Sequence, residues 1–118
     1  MAYRLTVADV IEFPVKVSVN DAGRTAVHQF HLTATRIPQE EAQEVIKDGE
    51  RPVRELLLEK VTGWRGQKLV VDDDGQPAGF SAEAFGCLLS LAGLPMVLFQ
   101  EYLKALVVSS TEGGRAKN

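Results

Sequence analysis

The sequence predicts an α+β domain in which an N-terminal antiparallel β-hairpin or small sheet packs against about four α-helices. Three observations lead there. Two consecutive stretches in the first third alternate apolar and polar residues with a period of two. From residue 38 onward the apolar residues fall at helical spacing, and beyond residue 80 they are denser than one helix face requires. A chain of 118 residues fits one compact core, assigned to residues 1–108, with 109–118 as a flexible tail.

From Val7 to Val19 the odd positions carry Val7, Asp9, Ile11, Phe13, Val15, Val17 and Val19, and the even positions include Glu12, Pro14, Lys16 and Ser18. From Ala26 to Arg36 the even positions carry Ala26, His28, Phe30, Leu32 and Ala34. Asn20-Asp-Ala-Gly-Arg-Thr25 between them has the composition of a tight turn. Pairing Val19 with Ala26 sets Val17 against His28, Val15 against Phe30 and Phe13 against Leu32, so both apolar sets share one face. Pro14 has no N–H to give a neighbouring strand, which predicts that the first strand lies at an edge or at least turns residue 14 away from its neighbour.

Pro38, Glu40 and Glu41 suit the first turn of a helix whose stripe is Ala42, Val45 and Ile46, with Gly49 as its stop. A second helix is expected to start at Pro52, to carry Val53, Leu56, Leu57 and Val61, and to stop at Gly63. Trp64 to Gly79 is rich in glycine and aspartate and predicts irregular chain, with Leu69-Val-Val71 able to pair briefly as a strand. Ser81 offers a capping oxygen, and Phe80 and Phe85 occupy the two positions of a hydrophobic staple, so a helix is expected from there to about Ala92. Gly93-Leu-Pro95 interrupts the run, and a last helix reaches about Val108.

Composition narrows the chemistry. A net charge of -3 and a pI of about 5.4 predict a surface that repels nucleic acid. The charge-free run Ala84–Gln100 contains two glycines and a proline in 17 residues, too short and too broken for a membrane span, and nothing at the N-terminus reads as an export signal. The lone Cys87, among leucines, reads as a small buried hydrophobe in a reducing cytoplasm. His28 and His31, three apart on a strand, point to opposite faces and cannot share a metal. Asp72-Asp-Asp-Gly75 lacks the ligand spacing of a calcium loop and reads as an exposed acidic turn. No nucleotide-binding glycine pattern and no activated nucleophile is legible, which points away from an enzyme and from cofactors.

What remains is apolar excess. From Ala84 to Val108, 18 of 25 residues are Ala, Val, Leu, Met, Phe, Tyr or Cys. A helix as apolar as 95–108 is either central to the core or lends one face to another chain. Trp64, Phe85, Leu98, Phe99, Tyr102, Leu103 and Leu106 are the residues expected to bind a partner.

The succession Phe13-Pro-Val-Lys-Val17, Arg36-Ile-Pro-Gln39, Val61-Thr-Gly-Trp64, Asp72-Asp-Asp-Gly-Gln-Pro77, Phe80-Ser81 and Tyr102-Leu-Lys-Ala-Leu106, closed by Arg115-Ala-Lys-Asn118, resembles the tail assembly chaperones of long-tailed bacteriophages and prophages. The resemblance spans nearly the whole chain and rests on order and spacing. It implies a non-enzymatic assembly factor in the cytoplasm of the bacterial host. Such a factor binds the tape measure protein, keeps it competent while the tail tube polymerises, and is absent from the finished virion. Relatives often have a longer product of translational frameshifting. Contact with the tail-tube protein and self-association are further expectations, and the alternative is a structural virion component such as a tail-tube or tail-completion protein. Arg65-Gly-Gln-Lys-Leu-Val-Val71 departs from the family pattern, being longer and more strand-like.

Overall fold

In the computed structural model, which describes residues 2–48 and 50–108, the chain first doubles back as a long hairpin. Strand β1 (Val10–Asp21) pairs antiparallel with β2 (Arg24–Thr35) in the register expected from the alternation, with Phe13 opposite Leu32, Val15 opposite Phe30, Val17 opposite His28 and Val19 opposite Ala26. The turn has Ala22 at φ 56° and Gly23 at φ 90°, the doubly positive geometry that matches the twist of two strands, and Asn20 Oδ1 accepts from the Gly23 N–H at 2.9 Å.

Helix α1 (Gln39–Asp48) and helix α2 (Glu50–Lys60) follow, α2 starting two residues ahead of Pro52. The expected stop at Gly49 lies outside the described residues. At Lys60 the chain leaves the helix and Val61–Arg65 becomes a third strand, β3, so the sheet order is β1-β2-β3 with β1 at an edge, as Pro14 predicted. This corrects the reading of Gly63 as a helix stop. The second edge of β2 takes Arg65, Trp64, Gly63 and Val61 opposite His31, Leu32, Thr33 and Ala34, with an irregularity between Thr33 and Ala34 that accommodates Thr62. Val-Thr-Gly-Trp is β-branched and aromatic, and that preference wins over a helical continuation once a ladder edge is available.

Helix α3 (Ala82–Leu88) is shorter than expected, and helix α4 (Leu94–Leu106) closes the fold. Beyond Leu88 the backbone tightens into successive i+3 contacts, Ser90 to Cys87 and Leu91 to Leu88. The Ser90 hydroxyl also donates to the Cys87 carbonyl at 2.6 Å, and Gly93 at φ 83° turns the chain into α4.

The helices lie on one face of the sheet. Phe13, Val15, Phe30, Leu32 and Ala34 from the sheet meet Val53, Leu57, Phe85, Leu88, Leu98, Phe99 and Tyr102 in one continuous core. The opposite face of the sheet is polar, and there the Arg65 guanidinium reaches across β2 to the Glu12 carboxylate at 2.9 and 3.1 Å. That hydrogen bond, followed by the charge itself, holds the Glu12 carboxyl below its ordinary range.

The segment between β3 and α3 is irregular yet pinned. Gln67 is buried; its amide nitrogen donates to the Val70 and Ala78 carbonyls at 2.9 and 3.1 Å while its oxygen accepts from the Val70 N–H at 2.8 Å. The Trp64 indole N–H donates to the same Ala78 carbonyl at 3.1 Å. Of Leu69-Val-Val71, only Val71 pairs, in a single bridge with Pro77.

Candidate partner-binding surface

The staple at the head of α3 forms as its sequence predicts. Ser81 Oγ accepts from the Ala84 N–H at 3.0 Å, and the Phe80 and Phe85 rings lie 5.7 Å apart. Trp64 stands edge-on to both rings, at 5.3 Å from Phe80 and 6.3 Å from Phe85. The indole is thereby half-buried in an aromatic cluster on the core margin, its polar edge already satisfied.

Four of the seven expected partner residues are core. Phe85, Leu98, Phe99 and Tyr102 are buried, and in the free chain they offer no surface to a partner. Their burial corrects that part of the expectation: α4 sits against the inner face of the sheet, and its Phe99, Leu98 and Tyr102 side fills the space over β1 and β2. Cys87 is a second correction, since it is exposed: Phe85, Leu88 and Leu89 take the inward positions of this turn, and Cys87 falls on the outward one.

Leu103 and Leu106 remain half-exposed, and they lie in a groove. Its walls are Ile37, Ala42 and Ile46 from the start and flank of α1, and Leu103, Leu106 and Val107 from the end of α4. The groove encloses about 480 Å³. Among the described residues, Gln39 and Gln43 are the polar ones lining it, and no charged side chain does so. Ile46 is 56% exposed, Val107 64% and Val108 92%, an open apolar end beside half-buried walls. A smaller apolar cluster, Leu91, Met96 and Val97, surrounds the turn between α3 and α4.

The α1 wall was not singled out by sequence. The stripe Ala42, Val45, Ile46 looks like an ordinary core-facing set, but Val45 turns inward and Ile46 outward. The available signal was the width of that stripe, since α1 is too polar elsewhere to need two large side chains on one inner face.

The described residues that line the groove are aliphatic side chains and two neutral amides. Among the described residues no group of three or more His, Cys, Asp or Glu is arranged to hold a metal. Asp72 is engaged in its own turn, its Oδ1 accepting from the Asp74 and Gln76 N–H groups at 2.9 and 3.0 Å. No described helix is long and apolar enough to cross a membrane. Comparison with family models, with curated proteins and with solved structures finds no match to this chain.

Proposed function

We propose that this protein is a tail assembly chaperone of a long-tailed bacteriophage or prophage, a non-enzymatic factor that binds the tape measure protein and keeps it soluble while the tail is built. The observation that carries the reading is the uncharged groove between α1 and α4, with Ile46 and Val107 open to solvent at one end. An apolar trough with neutral amides at its lip suits an amphipathic helical segment laid lengthwise, the mode in which a long helical client exposes its apolar stripe. The order of motifs along the chain, from Phe13-Pro14 to Tyr102-Leu103, supports the same reading.

Co-expression with the tape measure protein of the same genome tests it. The soluble yield of that protein should rise with this chain present and return to background when Ile46 and Leu106 are changed to Asp. An equal yield with and without the chain rejects the proposal. The alternative, a tail-tube or tail-completion component, draws support from the 12-residue hairpin strands and the free outer edge of β1. Mass spectrometry of purified particles separates the two, because a chaperone is absent from them.

A further inference from the structure

Two unpartnered features meet at one end of the molecule. The first is the segment Ala2–Asp9, which runs ahead of β1 outside any helix or strand. Its Tyr3, Leu5 and Val7 are 91%, 80% and 54% exposed. The root of this arm is fixed: the Arg36 N–H donates to the Asp9 carbonyl at 2.7 Å, and Arg36 Nε donates to the Ala8 carbonyl at 3.1 Å. The second feature is the α1–α4 groove, whose wall begins at Ile37, the residue next to that clamp.

An extended segment with apolar residues at every second position presents them on one side, about 7 Å apart, as a strip that fits a trough. Among the described residues, the chain therefore carries an apolar strip without a bed and an apolar bed without an occupant. The arm does not lie in its own groove. The Asp9–Arg36 contact continues the β1–β2 register by one pair, so the arm leaves in the direction of β1. With Ala8 held by Arg36, only residues 2–7 remain in which the arm could reverse toward its own groove. A two-fold axis at this end lets each arm cross to the other copy's groove, and one operation satisfies both strips and both beds. Two arms and two grooves would bury on the order of 1,000 Å², the threshold size of a specific interface.

We propose that this protein forms a reciprocal dimer in which Tyr3, Leu5 and Val7 of each copy lie in the groove between Ile46 and Leu106 of the other. The dimer stands independently of the chaperone reading. If both hold, the arm covers the groove in the free protein, and a client segment must displace it.

The test uses the full chain in a Cys87→Ser background, without any client. Sedimentation equilibrium should show a monomer–dimer equilibrium, and Tyr3→Asp with Leu5→Asp should weaken it at least 100-fold. Because those two side chains are almost fully exposed, the variant keeps its circular dichroism; Ile46→Asp should weaken the dimer similarly. A Leu5→Cys chain mixed with an Ile46→Cys chain should oxidise to a linked pair that neither gives with a wild-type residue at the other position. A monomeric parent, an open-ended series of larger species, or a dimer unchanged by the arm variant overturns the proposal. So does a chain carrying both cysteines that links only within itself.

Discussion

The hydroxyl of Tyr102 on α4 donates to the carbonyl of Thr35, the last residue of β2. The Arg36–Asp9 bond makes residues 9 and 36 a hydrogen-bonded pair, so the backbone groups of Thr35 point away from β1, toward the side where β3 pairing ends at Ala34. Tyr102 supplies a donor where the ladder runs out, and its ring lies 5.9 Å from Phe13. One side chain thereby ties the closing helix to the end of the sheet.

Tyr102→Phe should therefore cost about 1 to 2 kcal/mol, because it keeps the packing and leaves a partly buried carbonyl without its donor. Urea unfolding of the two proteins measures this directly. A difference below the error of the fit would mean that water replaces the hydroxyl without loss.

Burial, with the Glu41 carboxylate adding to it against the opposing pull of Arg36, pushes the Tyr102 hydroxyl up to about 12. In the unfolded chain a tyrosine ionises near pH 10. The folded value is raised, so this contribution is fully present below pH 10 and is lost as pH climbs toward about 12. The expected loss is no more than about 1.4 kcal/mol per pH unit for the one proton involved. Denaturation midpoints across this range should fall more steeply for the wild type than for Tyr102→Phe. Parallel profiles would assign the alkaline loss to other groups.

Gln67 should be intolerant of an apolar isostere. Gln67→Met keeps the length of the side chain but removes the donors to Val70 and Ala78 and the acceptor for the Val70 N–H. A loss of roughly 1 to 3 kcal/mol is expected, since the buried Val70 N–H is left unpaired while the Val70 and Ala78 carbonyls each keep one other donor. Hydrogen exchange should localise the change to residues 66–79, with β1 and β2 protected as before.

Core and groove should separate cleanly. Leu98 is fully buried, and Leu98→Ala should destabilise by about 2 to 5 kcal/mol through lost contact and the cavity left behind. Ile46→Asp, on the open end of the groove, should move the thermal midpoint little while abolishing association. Circular dichroism melts beside a pull-down decide this, and a groove variant that unfolds would place Ile46 in the structural core.

The hairpin was legible because alternation, a turn composition and a register-setting match between Val15 and Phe30 all agree. The start of α3 was legible for a similar reason, since Ser81, Phe80 and Phe85 specify one geometry. β3 was not, because its partner edge on β2 is about 30 residues away in sequence and Gly63 offers a local reading as a helix stop. The partner surface was half legible. Apolar excess in residues 95–108 is real, but sequence cannot divide α4 into the face that packs on the sheet, with Leu98, Phe99 and Tyr102, and the end that stays open, with Leu106 and Val107. The opposite wall comes from α1, and only the folded chain brings Ile46 to Leu106.

The most direct measurement of the functional account is the binding of purified chain to peptides that tile the tape measure protein of the same genome, followed by fluorescence anisotropy. Saturable binding to amphipathic segments, lost in the Leu106→Asp variant and kept in a variant of the acidic turn at Asp73, is the predicted result. Tight binding that ignores Leu106, or no binding to any segment, would contradict it.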